Sequence, residues 1–282
     1  MGPLHGAVCR LLERWCGICA YDGTAFDGWQ SQRSGNAVQD FLQKRLGEIF
    51  GQPISVVGSG RTDAGVHAIG QVFHFDAPHW CHGEGALLRA IRWRLPRSIM
   101  PWKVVAVGGE FHARFSATGK RYAYAMARGF GDPFSQRYRW SLGAEKLHLD
   151  SMAAAAEKFI GTHDFANFSN RSANENTVRT LRRSEIVVDG DAIAYVTEGD
   201  GYLYRMVRRI VGALVAVGRA KVPVELLGEL LCGPAVAQSR YLQTAPPEGL
   251  FLDRVFYGDW EPAEHFAEAG GDYAVARPWC CR

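Results

Sequence analysis

No stretch of this sequence stays apolar for the roughly 18 residues that a bilayer crossing needs; charges interrupt every hydrophobic run well before that length. Residues 1–20 do not read as a secretory leader either, because Arg10, Glu13, Arg14 and three cysteines break up any apolar segment. The short apolar pair between Arg10 and Arg14 suits an organellar leader as well, so the expected compartment is the cytoplasm or an organelle matrix. A disulfide framework is missing: the cysteines number seven and follow no paired spacing, which fits a reducing environment. Zinc-finger spacing is absent too. Cys16 and Cys19 make a C-x-x-C, but it runs into the strand-like "ICAY", and "HWCH" at residues 79–82 and the terminal Cys280 and Cys281 are the other candidates. Structural zinc recruits four well-spaced ligands, so no metal is expected.

Charge of one sign is also in short supply, with 32 basic residues against 29 acidic ones. Lysine is scarce; most of the basic residues are arginines, and they cluster. "RAIRWRLPR" carries Arg89, Arg92, Arg94 and Arg97, "VRTLRR" carries Arg179, Arg182 and Arg183, and "YRMVRR" carries Arg205, Arg208 and Arg209. Guanidinium forks suit phosphates, so a polyanionic partner is one reading of these clusters and solvated faces with nearby acids are the other.

A length of 282 residues at 47% hydrophobic content allows one large domain or two ordinary ones. "GICAYDGTAFDGWQ" reads as a strand entering a glycine-rich loop. Asn36 and Gln39 suggest a capping box, and Val38, Phe41, Leu42, Leu46, Ile49 and Phe50 recur at helical spacing, predicting a helix over 37–50 that Pro53 ends. "ISVV", "QVFHF" and "KVVAV" read as strands, with a basic helix over 86–94 ended by Pro96. The second half repeats this grammar. "RYAYAM" alternates like a strand, Met152, Ala156 and Phe159 line a helix that Gly161 would close, and "RSEIVVDG" with "AIAYVTEGD" reads as a hairpin. A helix is expected from near Gly201, with Leu203, Met206, Val207, Ile210, Val211, Leu214 and Val215 as its apolar stripe. Strands and helices mix without strict βαβ alternation, which predicts an α+β fold of two related lobes sharing one sheet. The expected divisions are an N-terminal extension (1–17), a first lobe (18–110), a second lobe (111–260) and a tail (261–282).

"VVGSGRTDAGVHAIGQVFHF", residues 56–75, places Arg61 and Asp63 among glycines. A dinucleotide fingerprint fits poorly, since the third glycine comes too late and a strand follows where a helix N-terminus must face the pyrophosphate. A Walker loop fails for want of Gly-Lys-Ser/Thr. Two readings remain: Asp63 caps a turn beside a solvated Arg61, or the glycines hold Asp63 at a loop tip open to a substrate. The second needs a cation to keep the carboxylate ionised. Tyr122, whose ring could stack on a base, and Arg208, on the apolar helix, make that reading attractive.

"YDGTAFDGWQ" (21–30), "GSGRTDAGVHAIGQVFHF" (58–75), "FHARFSATGKRYAY" (111–124), "GTHDFANF" (161–168), "YLYRMVRRIVG" (202–212) and "TAPPEGLFL" (244–252) occur in the order of the motifs of the TruA-type tRNA pseudouridine synthases, and the chain resembles that family over residues 18–257. The resemblance implies the pseudouridine synthase fold, two pseudosymmetric α+β lobes on a continuous, mainly antiparallel sheet flanked by helices. It implies isomerisation of uridine to pseudouridine at positions 38 to 40 of the tRNA anticodon stem-loop, without metal or organic cofactor, by a homodimer that binds tRNA across both subunits. Asp63 would be the nucleophile or base at the ribose, Tyr122 would stack on the uracil, and Arg208 would pair with Asp63. Arg61 would hold the flipped nucleotide or the gap it leaves, and Arg114 and Arg121 would join Tyr122 and Arg61 in binding RNA. The family's usual asparagine is replaced by Arg92 and its usual aspartate by Ser98, an exchange that bears on RNA contact or loop packing.

Overall fold

The structure is a computed structural model that describes residues 12–170, 176–232 and 242–258. It is built on one ten-stranded sheet. The first half contributes β1 (Leu12–Tyr21), α1 (Val38–Phe50), β2 (Val56–Gly58), β3 (His67–Pro78), α2 (Glu84–Arg92) and β4 (Ile99–Val107). The second contributes β5 (Gly119–Ala127), the two-residue β6 (Trp140–Ser141), α3 (Leu149–Glu157), β7 (Gly161–Asp164), β8 (Val178–Asp189), β9 (Ala192–Gly199), α4 (Met206–Gly218), α5 (Val224–Cys232) and β10 (Leu250–Phe256). The main path runs β4-β1-β3-β10-β5-β9-β8-β7, with β2 on β3 and β6 on β5. Each half therefore sets its first long strand between two later ones, β4-β1-β3 and β10-β5-β9. This is the internal repetition expected from the sequence, carried by a sheet that does not break between halves.

The halves meet through the last strand. β10 lies antiparallel to β5, from Leu250 opposite Tyr124 to Phe256 opposite Gly119, and parallel to β3 through Phe251 opposite His67 and Leu252 opposite Ala68. One hydrophobic core packs α1 (Val38, Leu42, Leu46), α2 (Leu87, Ile91), α3 (Met152, Ala156) and α4 (Ile210, Val211, Leu214) on inward-facing strand residues such as Phe73, Phe75, Tyr124 and Tyr195. A smaller cluster, Ala123, Ala125, Ala194, Val196 and Phe251, lies on the opposite face of the second half, with Ile69 and Tyr138 packed against it. Alternate residues of one strand serve different faces, so β5 feeds both clusters.

Several boundaries differ from the sequence reading. Residues 12–17, expected in the extension, form the first part of β1, and their partners on β3 begin at Pro78 opposite Leu12. The capping box at α1 is made by other residues: the Ala37 N–H donates to Asp40 Oδ2, the Asn36 side chain donates to the Ala25 carbonyl, and Gln39 Nε2 donates to the Val56 carbonyl. α3 stops at Glu157, and Gly161, expected to end it, opens β7. α4 starts at Met206 rather than near Gly201, because Arg205 adopts a left-handed conformation (φ 61°) that no helix can include. Cys16 and Cys19 are core residues of β1, and burial pushes both thiols up, so the C-x-x-C packs inside the sheet. No helix among the described residues is long and apolar enough to cross a membrane. The expected tail, 261–282, lies outside the described residues, as do residues 1–11 of the expected extension.

His74 of β3 accepts the Ala113 N–H on Nδ1 (3.1 Å), and its ring lies 4.6 Å from that of His112, centroid to centroid. Burial first, then the charges of His112 and Arg14, push His74 down from 6.5 to about 4, while Asp76 opposes. A lowered histidine pKa favours the neutral folded state, so this contribution is full above pH 6.5 and is lost as the pH falls through about 4. Urea unfolding should show a loss of about 3 kcal/mol over that interval. His74→Gln should flatten it, and an equally steep profile in the variant would assign the loss to other groups.

Candidate active site

A cavity of about 590 Å³ opens where the two halves meet, lined by the loop after β2, the start of β5 and the segment entering α4. Its loop is held from below. Ser59 Oγ donates to Gln71 Oε1 (2.8 Å), Gln71 Nε2 donates to the Gly60 carbonyl (2.8 Å), and Tyr21 and Thr62 share a hydroxyl hydrogen bond of 2.8 Å. Gly28 presses on it from the side: φ is +91°, and a Cβ there would lie 2.3 Å from the Thr62 carbonyl oxygen. The Asp63 carbonyl accepts the Val66 N–H and closes the turn with its backbone alone. The Asp63 side chain is thus not spent on capping.

Asp63 Oδ2 instead accepts from Arg208 Nη1 at 2.8 Å, in a pair whose side chains are 24% and 12% exposed. Arg208 Nε donates to the Ala245 carbonyl (2.8 Å), so the segment leading into β10 aims the guanidinium at the carboxylate. Tyr122 lies beneath, 7% exposed, edge-on to Tyr202 with ring centroids 4.9 Å apart. Burial pushes its phenol well above the ordinary value and the Asp63 charge adds to the push, so Tyr122 is a neutral phenol at physiological pH. Arg61 and Arg114 line the cavity and are exposed.

A sequence model described as "tRNA pseudouridine synthase" matches residues 18–116 and 155–258. The tRNA pseudouridine synthase A of Chlamydia muridarum is 40% identical over 243 residues, covering 84% of this chain and 90% of that protein. That of Akkermansia muciniphila is 38% identical over 263 residues, covering 88% and 95%. The chain belongs to the tRNA pseudouridine synthase family. A solved structure of a Cbf5-Nop10-Gar1 complex aligns at 14% identity over 72% of this chain and 45% of that one, with a TM-score of 0.34, too low to bear on a family assigned by sequence.

For a tRNA pseudouridine synthase the arrangement brings together five of the residues singled out from sequence, Asp63, Tyr122, Arg208, Arg61 and Arg114. It does not bring Arg121. Adjacent strand residues point to opposite faces, so with Tyr122 in the cavity Arg121 is on the far side of β5. There it pairs with Glu198 (3.0 Å) and Asp253 (3.7 Å) and lies over the Phe256 ring. The arginine clusters divide in the same way. Arg92 donates to the Pro101 and Trp102 carbonyls of β4, which makes the family's usual asparagine position a packing site here. Arg182 faces Glu198, and Arg183 pairs with Glu185. Residues the sequence reading passed over include Lys120 and Tyr202, both lining the cavity with Arg205 of the "YRMVRR" cluster. Lys120 was two residues from Tyr122 on a strand-like stretch, so the period of two could have placed it on the same face.

Gly28→Ala should test how tightly the loop is held. Strain at positive φ and the collision with Thr62 together should lower unfolding free energy by about 1–3 kcal/mol in urea titration. Gly35→Ala has comparable positive φ (+67°) but nothing within 4 Å of the added Cβ, and should cost less. Equal losses would mean that Gly28 matters only for its dihedral.

Proposed function

We propose that this protein converts uridine to pseudouridine in the anticodon stem-loop of tRNA, at positions 38, 39 or 40, with Asp63 as the reacting carboxylate. The observation that carries the role of Asp63 is the pair it makes with Arg208. A carboxylate placed where RNA phosphates must approach would repel them; a fixed guanidinium offsets its charge and orients it. Asp63 Oδ1 has no hydrogen-bond partner among the described residues and is the oxygen left for the substrate.

A uridine stacked in a stem must be turned out of the helix before C1′ can be reached, at a cost of a few kcal/mol. Tyr122 supplies an aromatic surface for the extruded uracil, and Arg61 and Arg114 supply contacts to the backbone, which together offset that cost. Asp63 then either attacks C1′, forming an ester as the N1–C1′ bond breaks, or takes the C2′ proton to leave a glycal. In both routes the uracil turns within the cavity and C5 bonds to C1′, displacing the Asp63 carboxylate in the first and with the proton returned to C2′ in the second; the C5 proton then leaves and N1 gains one. The neutral Tyr122 phenol can hold the base but carries no negative charge to compete with Asp63. Water must be kept out, since a trapped water would turn the same intermediate into a hydrolysis product. On this reading the protein works in the cytoplasm or an organelle matrix, as a homodimer.

Release of tritium from C5-tritiated uridine in unmodified tRNA should be seen with wild type and vanish in Asp63→Ala. The variant's tRNA Kd should stay within about tenfold, or ~1.4 kcal/mol, of wild type. Tight binding without release by wild type would instead make the protein a non-catalytic RNA binder. Arg208→Lys keeps the charge but not the two-directional fork between Ala245 and Asp63, and should lower kcat by about 100-fold, the scale of a small misplacement of a reacting group.

A further inference from the structure

Lys120 is a cation of the cavity to which the mechanism above gives no task. It begins the cavity face of β5, two residues before Tyr122, and its side chain crosses the reactive loop: a Cβ on Gly60 would lie 3.2 Å from Lys120 Cε and 3.4 Å from Nζ. The absent side chain at Gly60 is what leaves room for it. Among the described residues its ammonium has no hydrogen bond or ion pair, although the residue is half-buried. The cavity's described lining includes four arginines, Arg61, Arg114, Arg205 and Arg208, and a single carboxylate, Asp63, which Arg208 already engages. A half-buried ammonium in such a surplus of positive charge suits an anion brought from outside the protein. Uracil and ribose are neutral, so the anion available in the substrate is a backbone phosphate.

We propose that Lys120 is a substrate-positioning residue that seats a phosphate flanking the extruded uridine and so sets the ribose against Asp63. This rests on the reading of the cavity as the uridine site. Burial, and then the neighbouring Arg114 charge, pull Lys120 down from 10.5 to about 8, so the seat loses its charge within an accessible range. The other charged and titratable groups of the cavity are Arg61 and Asp63 on the loop, Arg205 and Arg208 at α4, and the phenols of Tyr122, Tyr202 and Tyr204, the first two of which burial keeps neutral.

The test uses the full chain carrying Asp63→Ala, so that binding is read without turnover, and an anticodon stem-loop RNA as the probe. Lys120→Met should weaken binding about tenfold and reduce the salt slope by about one contact, while Lys120→Arg should bind within about threefold of its parent. Replacing one of the two phosphates beside the target uridine by a neutral methylphosphonate should abolish the Lys120→Met penalty. A penalty that survives neutralisation of either phosphate would place Lys120 on the base, and no penalty at all would remove it from the site. Between pH 7 and 9 binding should fall in the Lys120 chain but not in Lys120→Arg; an equal fall in both would overturn the titration of the seat. Failure of wild type to release tritium while these differences persist would defeat the isomerase reading and leave the phosphate seat. Normal release with unaffected Lys120→Met binding would defeat the seat alone.

Discussion

The insertion of β10 between β3 and β5 is the constraint on which the rest of the structure depends. Without it the halves would be two sheets with unpaired edges, and the loop carrying Asp63 would have no fixed relation to Tyr122 or Arg208. The seam with β3 is narrow, two parallel residue pairs, and β10 is anchored chiefly by its longer antiparallel ladder with β5. The approach to the strand does further work. Ala245 exchanges hydrogen bonds with Arg208, accepting from Nε and donating its N–H to the Arg208 carbonyl. One backbone segment thereby ties the end of the sheet to the residue that holds the reactive carboxylate.

The site resolves an electrostatic conflict. RNA recognition calls for positive charge and the proposed chemistry calls for a carboxylate, and the two would cancel if placed at random. Here the carboxylate has a dedicated guanidinium held by its own backbone partner, while Arg61 and Arg114 stay exposed at the cavity and Lys120 stays beside the loop. Burial keeps the Tyr122 and Tyr202 phenols neutral, and Asp63 is the single carboxylate among the described lining residues. The architecture that supplies this arrangement is a repeated half: β1 and β5 each lie between two later strands, yet the loop with Asp63 comes from one half and Tyr122 and Arg208 from the other.

Periodicity was a sound guide wherever one face of an element is buried and the other is wet. The apolar stripes of α1 and α4 and the alternation of β5 read correctly because burial imposes the same spacing that the backbone does. Ends were less legible. α4 starts late because Arg205 turns left-handed, a conformation that nothing in "GYLYRM" announces, and α1 is capped from Asp40 rather than by the residues with the more familiar capping pattern. Arg121 was misplaced because a motif names neighbouring residues together, whereas a strand sends them to opposite faces. The same alternation would have placed Lys120 beside Tyr122.

By itself the sequence determined the family, the α+β class, the loop that presents Asp63, and the strands and helices that bury an apolar face, since each is written in local order and spacing. Only the tertiary structure decided which arginines face the cavity and which are absorbed by Glu198, Glu185 or the carbonyls of β4. It brought Arg208, whose pairing with Asp63 the resemblance implied, within 2.8 Å of it across 145 positions of chain, and left Lys120 beside them without an ion pair among the described residues. The reason is physical: a charge's role depends on what lies within a few ångströms of it, and that distance is set by how the sheet closes.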